Sequence, residues 1–146
     1  FTLSYSPSDR QAEYAFYYLS VASIKGMQER TDDFRIDPSV KSNPVTSTSY
    51  QGSGFDRGHL APAADFKLNL TAMSETFFMS NMSPMSPAFN RGKLGLLTSR
   101  IRTNLYRTLI SLIECKANVH ANSQTVQTPS GKVRVLDPPP RFSIRD

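Results

Sequence analysis

Tyr50-Gln-Gly-Ser-Gly-Phe-Asp-Arg-Gly-His59-Leu-Ala-Pro62 is the segment from which the fold and the chemistry can be predicted. Glycines on both sides of Phe55-Asp56-Arg57 let the backbone approach a ligand closely. Arginine suits phosphate because its planar guanidinium donates two hydrogen bonds at once. A neutral imidazole, with an ordinary pKa of ~6.5, can accept a proton near neutral pH. Together these properties predict phosphodiester hydrolysis.

Composition sets the outer limits of the interpretation. The chain has 146 residues, 38% hydrophobic and 20% charged, which is typical of one globular domain. No window approaches the ~20 apolar residues of a membrane span. The net charge of +5 and pI of about 9.6 favour polyanionic partners such as nucleic acid. Cys115 is the single cysteine, so no intrachain disulfide can form.

Hydrophobic periodicity predicts the elements before the central segment. Residues 1–5 alternate as a strand does, and residues 11–19 carry apolar side chains at helical spacing. Residues 25–48 are polar and rich in Ser, Thr and Pro, which is typical of loop.

The central segment is expected to form a strand that carries His59 and ends near Pro62. A connector follows over residues 63–74, with a short helical piece at 70–74. Residues 75–80 are predicted to be a strand, and residues 81–87 irregular.

A leucine-rich stripe predicts a helix from Asn90 to about Cys115. After it, residues 119–127 and 132–136 are expected to form two strands around a turn at 129–131, followed by a polyproline stretch at 137–140.

Three motifs resemble the DNA/RNA non-specific endonuclease family, which includes secreted bacterial nucleases and the mitochondrial endonuclease G group. They are Asp56-Arg57-Gly58-His59, Ser80-Asn81-Met82-Ser83-Pro84 and Phe89-Asn90-Arg91-Gly92, and the resemblance covers roughly Leu3 to Asn104. It implies an α+β fold: a ββα-metal finger nuclease core with an antiparallel sheet and flanking helices. The expected organisation is a single nuclease-like domain over 1–146. In it, residues 105–146 form the helix end and a tail that lacks or diverges from the family's further strands.

The resemblance also implies the roles of the site residues. His59 would be the general base, and Asn90 would bind a hydrated Mg²⁺, for which Mn²⁺ is a plausible substitute. Arg30 and Arg102 would contact substrate phosphate, with Arg35 as the competing alignment for Arg30. Arg57 precedes His59 by two residues and so lies on the same face of an extended strand, where it could steady phosphate beside the base. Asn81 would support the site.

Three positions depart from the family pattern. Leu94 replaces an aromatic residue, Thr98 an acidic residue that orients metal-bound water, and Met85 a glutamine. Loss of such an outer-sphere carboxylate typically costs about 10–100-fold in metal affinity or activity. The alternative hypothesis is therefore a catalytically impaired homologue that still binds nucleic acid.

The partners implied are DNA and RNA, bound through the backbone without sequence specificity, and no membrane. A homodimer and an inhibitor protein are further partners consistent with the resemblance. The sequence begins at Phe1, so we expect a processed chain or fragment. Localisation is predicted as secreted or periplasmic, with mitochondrial as the alternative.

Overall fold

The first two strands form an antiparallel hairpin. A computed structural model describes the backbone of residues 1–108, 112–117, 123–128 and 131–136, and the side chains of residues 1–104. Strand β1 (Thr2–Ser6) pairs with β2 (Gln11–Leu19), Leu3 lying opposite Ala15. The predicted helix over residues 11–19 is therefore wrong. Residues 14–19 alternate strictly between exposed and buried, and aromatic side chains favour such a half-buried strand over a helix.

The connection to the central segment is mostly irregular, as predicted for residues 25–48. Helix α1 (Val21–Lys25) is a single short turn with Ser20 as its N-cap. From residue 26 to 55 the chain contains only turns and one isolated bridge, Arg35 with Phe78.

The central strand forms as predicted, but its partner strand lies elsewhere. Strand β3 (Asp56–His59) pairs antiparallel with β4 (Met82–Met85), placing His59 opposite Met82. The predictions of a strand over 75–80 and irregular structure over 81–87 are both wrong. Helix α2 (Leu70–Glu75) continues into turns, and Pro84 is tolerated in β4 because a two-stranded sheet leaves edge positions that need no N–H donor.

The helix after β4 begins earlier and ends sooner than predicted. Residues Ala88–Leu94 form a π-helix, which passes directly into α3 (Gly95–Thr108). Residues Leu112–Ala117 form strand β5, which pairs with β2, so the helix prediction as far as Cys115 is wrong. The apolar stripe in the sequence continues past the helix because apolar residues are common in strands as well as in helices.

The last two strands were predicted. Strands β6 (Ser123–Thr128) and β7 (Gly131–Leu136) pair antiparallel around the expected turn. The polyproline prediction for 137–140 lies outside the described residues.

The core joins these elements into the predicted α+β arrangement. Ala12 and Ala15 of β2 are buried with Leu60 and Met85, and Phe89 and Leu94 pack against that cluster. The inner face of β2 therefore supports both the β3–β4 pair and the start of the long helix, which is a ββα arrangement. Across the part of the chain that the structure describes, no helix has the length and apolar character needed to cross a bilayer.

Candidate functional site

Two adjoining cavities lie where β3 meets the π-helix. The small pocket has a volume of about 200 Å³, and its lining includes Arg30, His59, Asn90, Thr98 and Arg102. The large cavity, of about 700 Å³, contains Arg57 in its lining and shares Arg30 and Asn90 with the small pocket. Five of the six predicted site residues thus line these two cavities.

His59 is held by aromatic rings. Its imidazole is half-buried, with ring centroids 5.0 Å from Phe77 and 5.9 Å from Phe34, both edge-to-face. Phe34 and Phe77 themselves meet at 5.0 Å and 87°. Edge-to-face packing restricts ring orientation, so this aromatic cluster (Phe34, His59 and Phe77) positions the imidazole at the edge of the small pocket.

Asn90 lies in the π-helix, and its side-chain amide is oriented by Asp56. Asn90 Nδ2 donates to Asp56 Oδ2 at 3.0 Å, while Arg91 donates to both carboxylate oxygens of Asp56, at 2.8 and 2.6 Å. The hydrogen bonds from Arg91, followed by the one from Asn90, hold the pKa of the Asp56 carboxyl below its usual range despite its burial. Asp56 therefore stays ionised near neutral pH, and the amide nitrogen of Asn90 is committed to it.

Two arginines stack on the aromatic cluster. The guanidinium of Arg57 lies 3.8 Å from the Phe34 ring centroid, and that of Arg30 lies 4.7 Å from the Phe77 centroid. Arg30 also pairs with Asp32 at 2.6 Å. Arg35, the competing candidate, lines neither cavity; it stacks on Phe78 and donates to the carbonyl of Ser74.

Arg102 is held in place by a buried carboxylate next to the small pocket. Its Nε donates to the carboxylate of Asp65, which is 2% exposed and also accepts from the Tyr17 hydroxyl at 2.8 Å. The buried carboxylate fixes the position of the guanidinium, and the Arg102 side chain still lines the pocket.

Asn81 lies behind the site, fully buried. Its Oδ1 accepts from the Ala61 amide at 2.9 Å, and its Nδ2 donates to the carbonyls of Ala61 and Thr76 at 3.0 and 2.8 Å. The Asn81 carbonyl also accepts from the Leu60 amide at 3.0 Å. The side chain thus holds the chain just after His59 and contacts neither cavity.

Replacing Asn81 with alanine should lower the free energy of unfolding by about 3 kcal/mol or more, because three buried backbone groups lose their partner. Urea denaturation measures this change. Asn69→Ala is the matched control: Asn69 is an exposed N-cap on the Ala72 amide, and its loss should cost only about 1 kcal/mol. Equal shifts for the two variants would contradict the supporting role of Asn81.

Thr98 lines the small pocket, and its hydroxyl is bonded within its own helix. Thr98 Oγ1 donates to the Leu94 and Gly95 carbonyls, each at 3.1 Å. Such a bond to the preceding helical turn is common for threonine. The position therefore faces the pocket without offering a carboxylate.

The side chains that could bind a metal ion here suit a cation that keeps most of its water ligands better than one ligated mainly by protein. Among the side chains that the structure describes, no group of three or more His, Cys, Asp and Glu residues could hold a metal ion. The Asn90 carboxamide is a hard oxygen donor with its nitrogen already bonded. Such a sparse oxygen site fits Mg²⁺, which keeps several of its waters.

Several contributors were not foreseen from the sequence. Arg91 belongs to one of the three motifs, but the sequence assigned no function to it. The hydrogen-bonded pair of Asp65 and Arg102 joins residues 37 positions apart. Asp65 sits in a short 3₁₀ turn with no local signal of function. Phe34 and Phe77 carry ordinary core patterns, so their packing around His59 could not be read from spacing.

Comparison with known proteins identifies the family of the chain. The sequence model of the DNA/RNA non-specific endonuclease family matches residues 1–135. Human mitochondrial endonuclease G is 37% identical over 113 residues, which is 75% of this chain and 38% of that protein. Nuclease C1 of Cunninghamella echinulata var. echinulata is 42% identical over 96 residues, covering 62% of this chain and 38% of the relative.

A solved structure of the EndoG/EndoGI complex, described as showing the mechanism of EndoG inhibition, contains a similar fold. The similarity has a TM-score of 0.74 and 28% identity, and covers 92% of this chain and 55% of the other. The chain spans about two fifths of the length of these curated relatives. The family match, the shared fold and the motif positions give one conclusion: this chain belongs to the DNA/RNA non-specific endonuclease family.

Proposed function

We propose that this protein is an Mg²⁺-dependent endonuclease that hydrolyses phosphodiester bonds of DNA and RNA, leaving 5′-phosphate and 3′-hydroxyl ends. The observation that carries the proposal is the small pocket, where His59 and Asn90 meet two arginines, Arg30 and Arg102. A proton acceptor, a hard oxygen donor and two cations are the groups that this reaction requires.

In the proposed mechanism, His59 accepts the proton of the attacking water. The aromatic cluster keeps the imidazole oriented, so little reorganisation is needed when the water binds. Arg30 and Arg102 hold the scissile phosphate, and Arg102 is kept in place by buried Asp65. Their charges also stabilise the additional negative charge of the transition state.

Asn90 Oδ1 is the protein atom that would hold the Mg²⁺, with Asp56 fixing the amide so that oxygen remains the available donor. When bound, the ion would supply Lewis-acid stabilisation of the leaving oxygen. Mn²⁺, with similar ligand preferences, should substitute.

Broad substrate range follows from the types of contact. The groups in the small pocket address phosphate, and phosphate contacts carry no base sequence directly. We therefore expect cleavage of both nucleic acids, with affinity that falls as salt rises.

Plasmid DNA and a structured RNA, each incubated with Mg²⁺ and with excess chelator, test the proposal. Cleavage of both substrates only when Mg²⁺ is present, with 5′-phosphate ends detected by end-labelling, is the expected result. Absence of Mg²⁺-stimulated cleavage at any protein concentration would overturn it.

The second candidate function is nucleic-acid binding with impaired turnover, and Thr98 is the observation that favours it. Threonine has no carboxylate, and its hydroxyl is bonded to the helix carbonyls, so position 98 does not supply the carboxylate that the family resemblance implies. This candidate predicts salt-sensitive binding with no cleavage.

Thr98→Glu should raise Mg²⁺-dependent cleavage by about 10-fold, because a carboxylate at this position can orient metal-bound water. The rate is measured at subsaturating Mg²⁺, where an affinity gain is visible. Thr98→Gln, similar in size but uncharged, is the control and should give no increase. Equal rates for the two variants would exclude an orienting role for a carboxylate at this position.

Partners and location follow the relatives by analogy. The solved complex pairs EndoG with EndoGI, which supports an inhibitor protein as a partner of this chain, and a homodimer stays a prediction. Relatives named as mitochondrial support the mitochondrial alternative.

A further inference from the structure

We propose that the large cavity is a nucleoside subsite. It would take the sugar and base of a nucleotide adjacent to the phosphate in the small pocket, against a wall formed by residues 47–51 and Phe55. The proposal rests on the proposed function, because the small pocket must hold the reacting phosphate.

The position of the cavity is the first argument. It shares Arg30 and Asn90 with the small pocket, so a polymer with one phosphate there continues past these two residues. Its volume of about 700 Å³ lies within the ~300–1,000 Å³ typical of pockets for small organic ligands.

The charges of the lining residues indicate which part of a nucleotide each cavity can bind. The small pocket is lined by Arg30 and Arg102 with no carboxylate among its described lining residues, which favours an anion. The large cavity is lined by two arginines, Arg30 and Arg57, and by two carboxylates, Asp32 and Asp56, so its formal charges cancel. Phosphate therefore belongs in the small pocket, and a neutral nucleoside in the large cavity.

The rest of the lining suits a nucleoside of any sequence. Ser47, Thr48 and Gln51 can each donate and accept hydrogen bonds, so they can contact any base or sugar without selecting one. The Phe55 ring offers a stacking surface, and every base has a face that can stack.

The wall is held together by hydrogen bonds within the protein itself. Successive turns are closed by Ser49 N to Thr46 O and Gln51 N to Thr48 O, both at 3.0 Å. Buried Tyr50 anchors them, accepting from Gln11 Nε2 at 2.7 Å and donating to the Met82 carbonyl at 3.3 Å. Gly52, with φ of +70°, continues the turn in a conformation that other residues rarely adopt. A pre-organised wall lowers the cost of binding.

A cavity-filling variant, Thr48→Trp, tests the proposal against Thr71→Trp. Thr71 is exposed on α2 and lines neither cavity, so it controls for the added indole. Each variant is assayed with single-stranded DNA and with bis(p-nitrophenyl) phosphate, which has a phosphodiester but no nucleoside. Binding of a fluorescent oligonucleotide is measured separately, without added metal.

Thr48→Trp should lower kcat/KM on DNA and the affinity for the oligonucleotide by about 10-fold or more, while leaving bis(p-nitrophenyl) phosphate hydrolysis within twofold of the parent. Thr71→Trp should change neither. Phe55→Ala, which opens the cavity instead of filling it, should reproduce the selective loss on DNA and oligonucleotide.

Equal behaviour of Thr48→Trp and Thr71→Trp, or an equal loss on both substrates, would overturn the subsite. If the protein cleaves nothing, the proposed function fails, and oligonucleotide binding still decides whether the large cavity contacts nucleosides.

Discussion

Replacing His59 with alanine is expected to slow Mg²⁺-dependent DNA cleavage by about 10²–10⁴-fold, the usual contribution of a general base. The imidazole lines the small pocket beside Asn90, and no other histidine is present among residues 1–104. Single-turnover rates with excess protein measure the effect on chemistry directly, without a contribution from product release.

The same variant can distinguish a chemical role from a structural one. His59 packs on Phe34 and Phe77, so alanine also removes a ring from the aromatic cluster. Imidazole added to the medium should restore part of the His59→Ala activity if the lost group is a proton acceptor. His59→Phe keeps a ring but no acceptor, and should be equally slow, well folded and insensitive to imidazole. A rate for His59→Ala near that of the parent would remove His59 from the mechanism.

Local sequence patterns predicted the elements whose partners are close in the chain. The β6–β7 hairpin follows from alternation on both sides of a turn, and the short helical piece predicted over 70–74 corresponds to α2. The sequence predicted a helix in place of strand β2 because its apolar residues fit both the helical period and the strand period. Its pairing with β1 on one side and β5 on the other decides for a strand, and the β5 contact joins residues about a hundred positions apart.

The site shows the same division. His59, Asn90 and Arg57 stand in the motifs that resemble the family, and the same resemblance assigned roles to Arg30 and Arg102 outside those motifs. The groups that hold them in place could not be predicted in this way. Asp65 and Phe77 become important only because folding brings them against Arg102 and His59. Their residue types are equally common in ordinary loops and cores.

Asp56→Ala is expected to weaken the binding of Mn²⁺ or Mg²⁺ by about 10–100-fold, the usual effect of losing a group that orients a ligand. Asp56 receives the Asn90 amide nitrogen at 3.0 Å, which leaves the carboxamide oxygen as the free donor. Without this acceptor the amide can rotate, and the oxygen is available in only part of the population. Electron paramagnetic resonance of Mn²⁺ measures the affinity without any need for turnover.

Asp32→Ala is the matched control, because Asp32 is another carboxylate of the large cavity but pairs with Arg30 and has no hydrogen bond to Asn90 among those described. It should leave Mn²⁺ affinity within about twofold of the parent, since only long-range charge is lost at an exposed position. Combining Asp56→Ala with Asn90→Ala should add little to the effect of Asn90→Ala alone, because Asp56 acts through that one amide. Additive losses in the double variant would instead mean that Asp56 attracts the ion through its own charge, independently of Asn90. If Asp56 orients the Asn90 amide, the losses of affinity in the double variant are not additive; if Asp56 attracts the ion through its charge, they are.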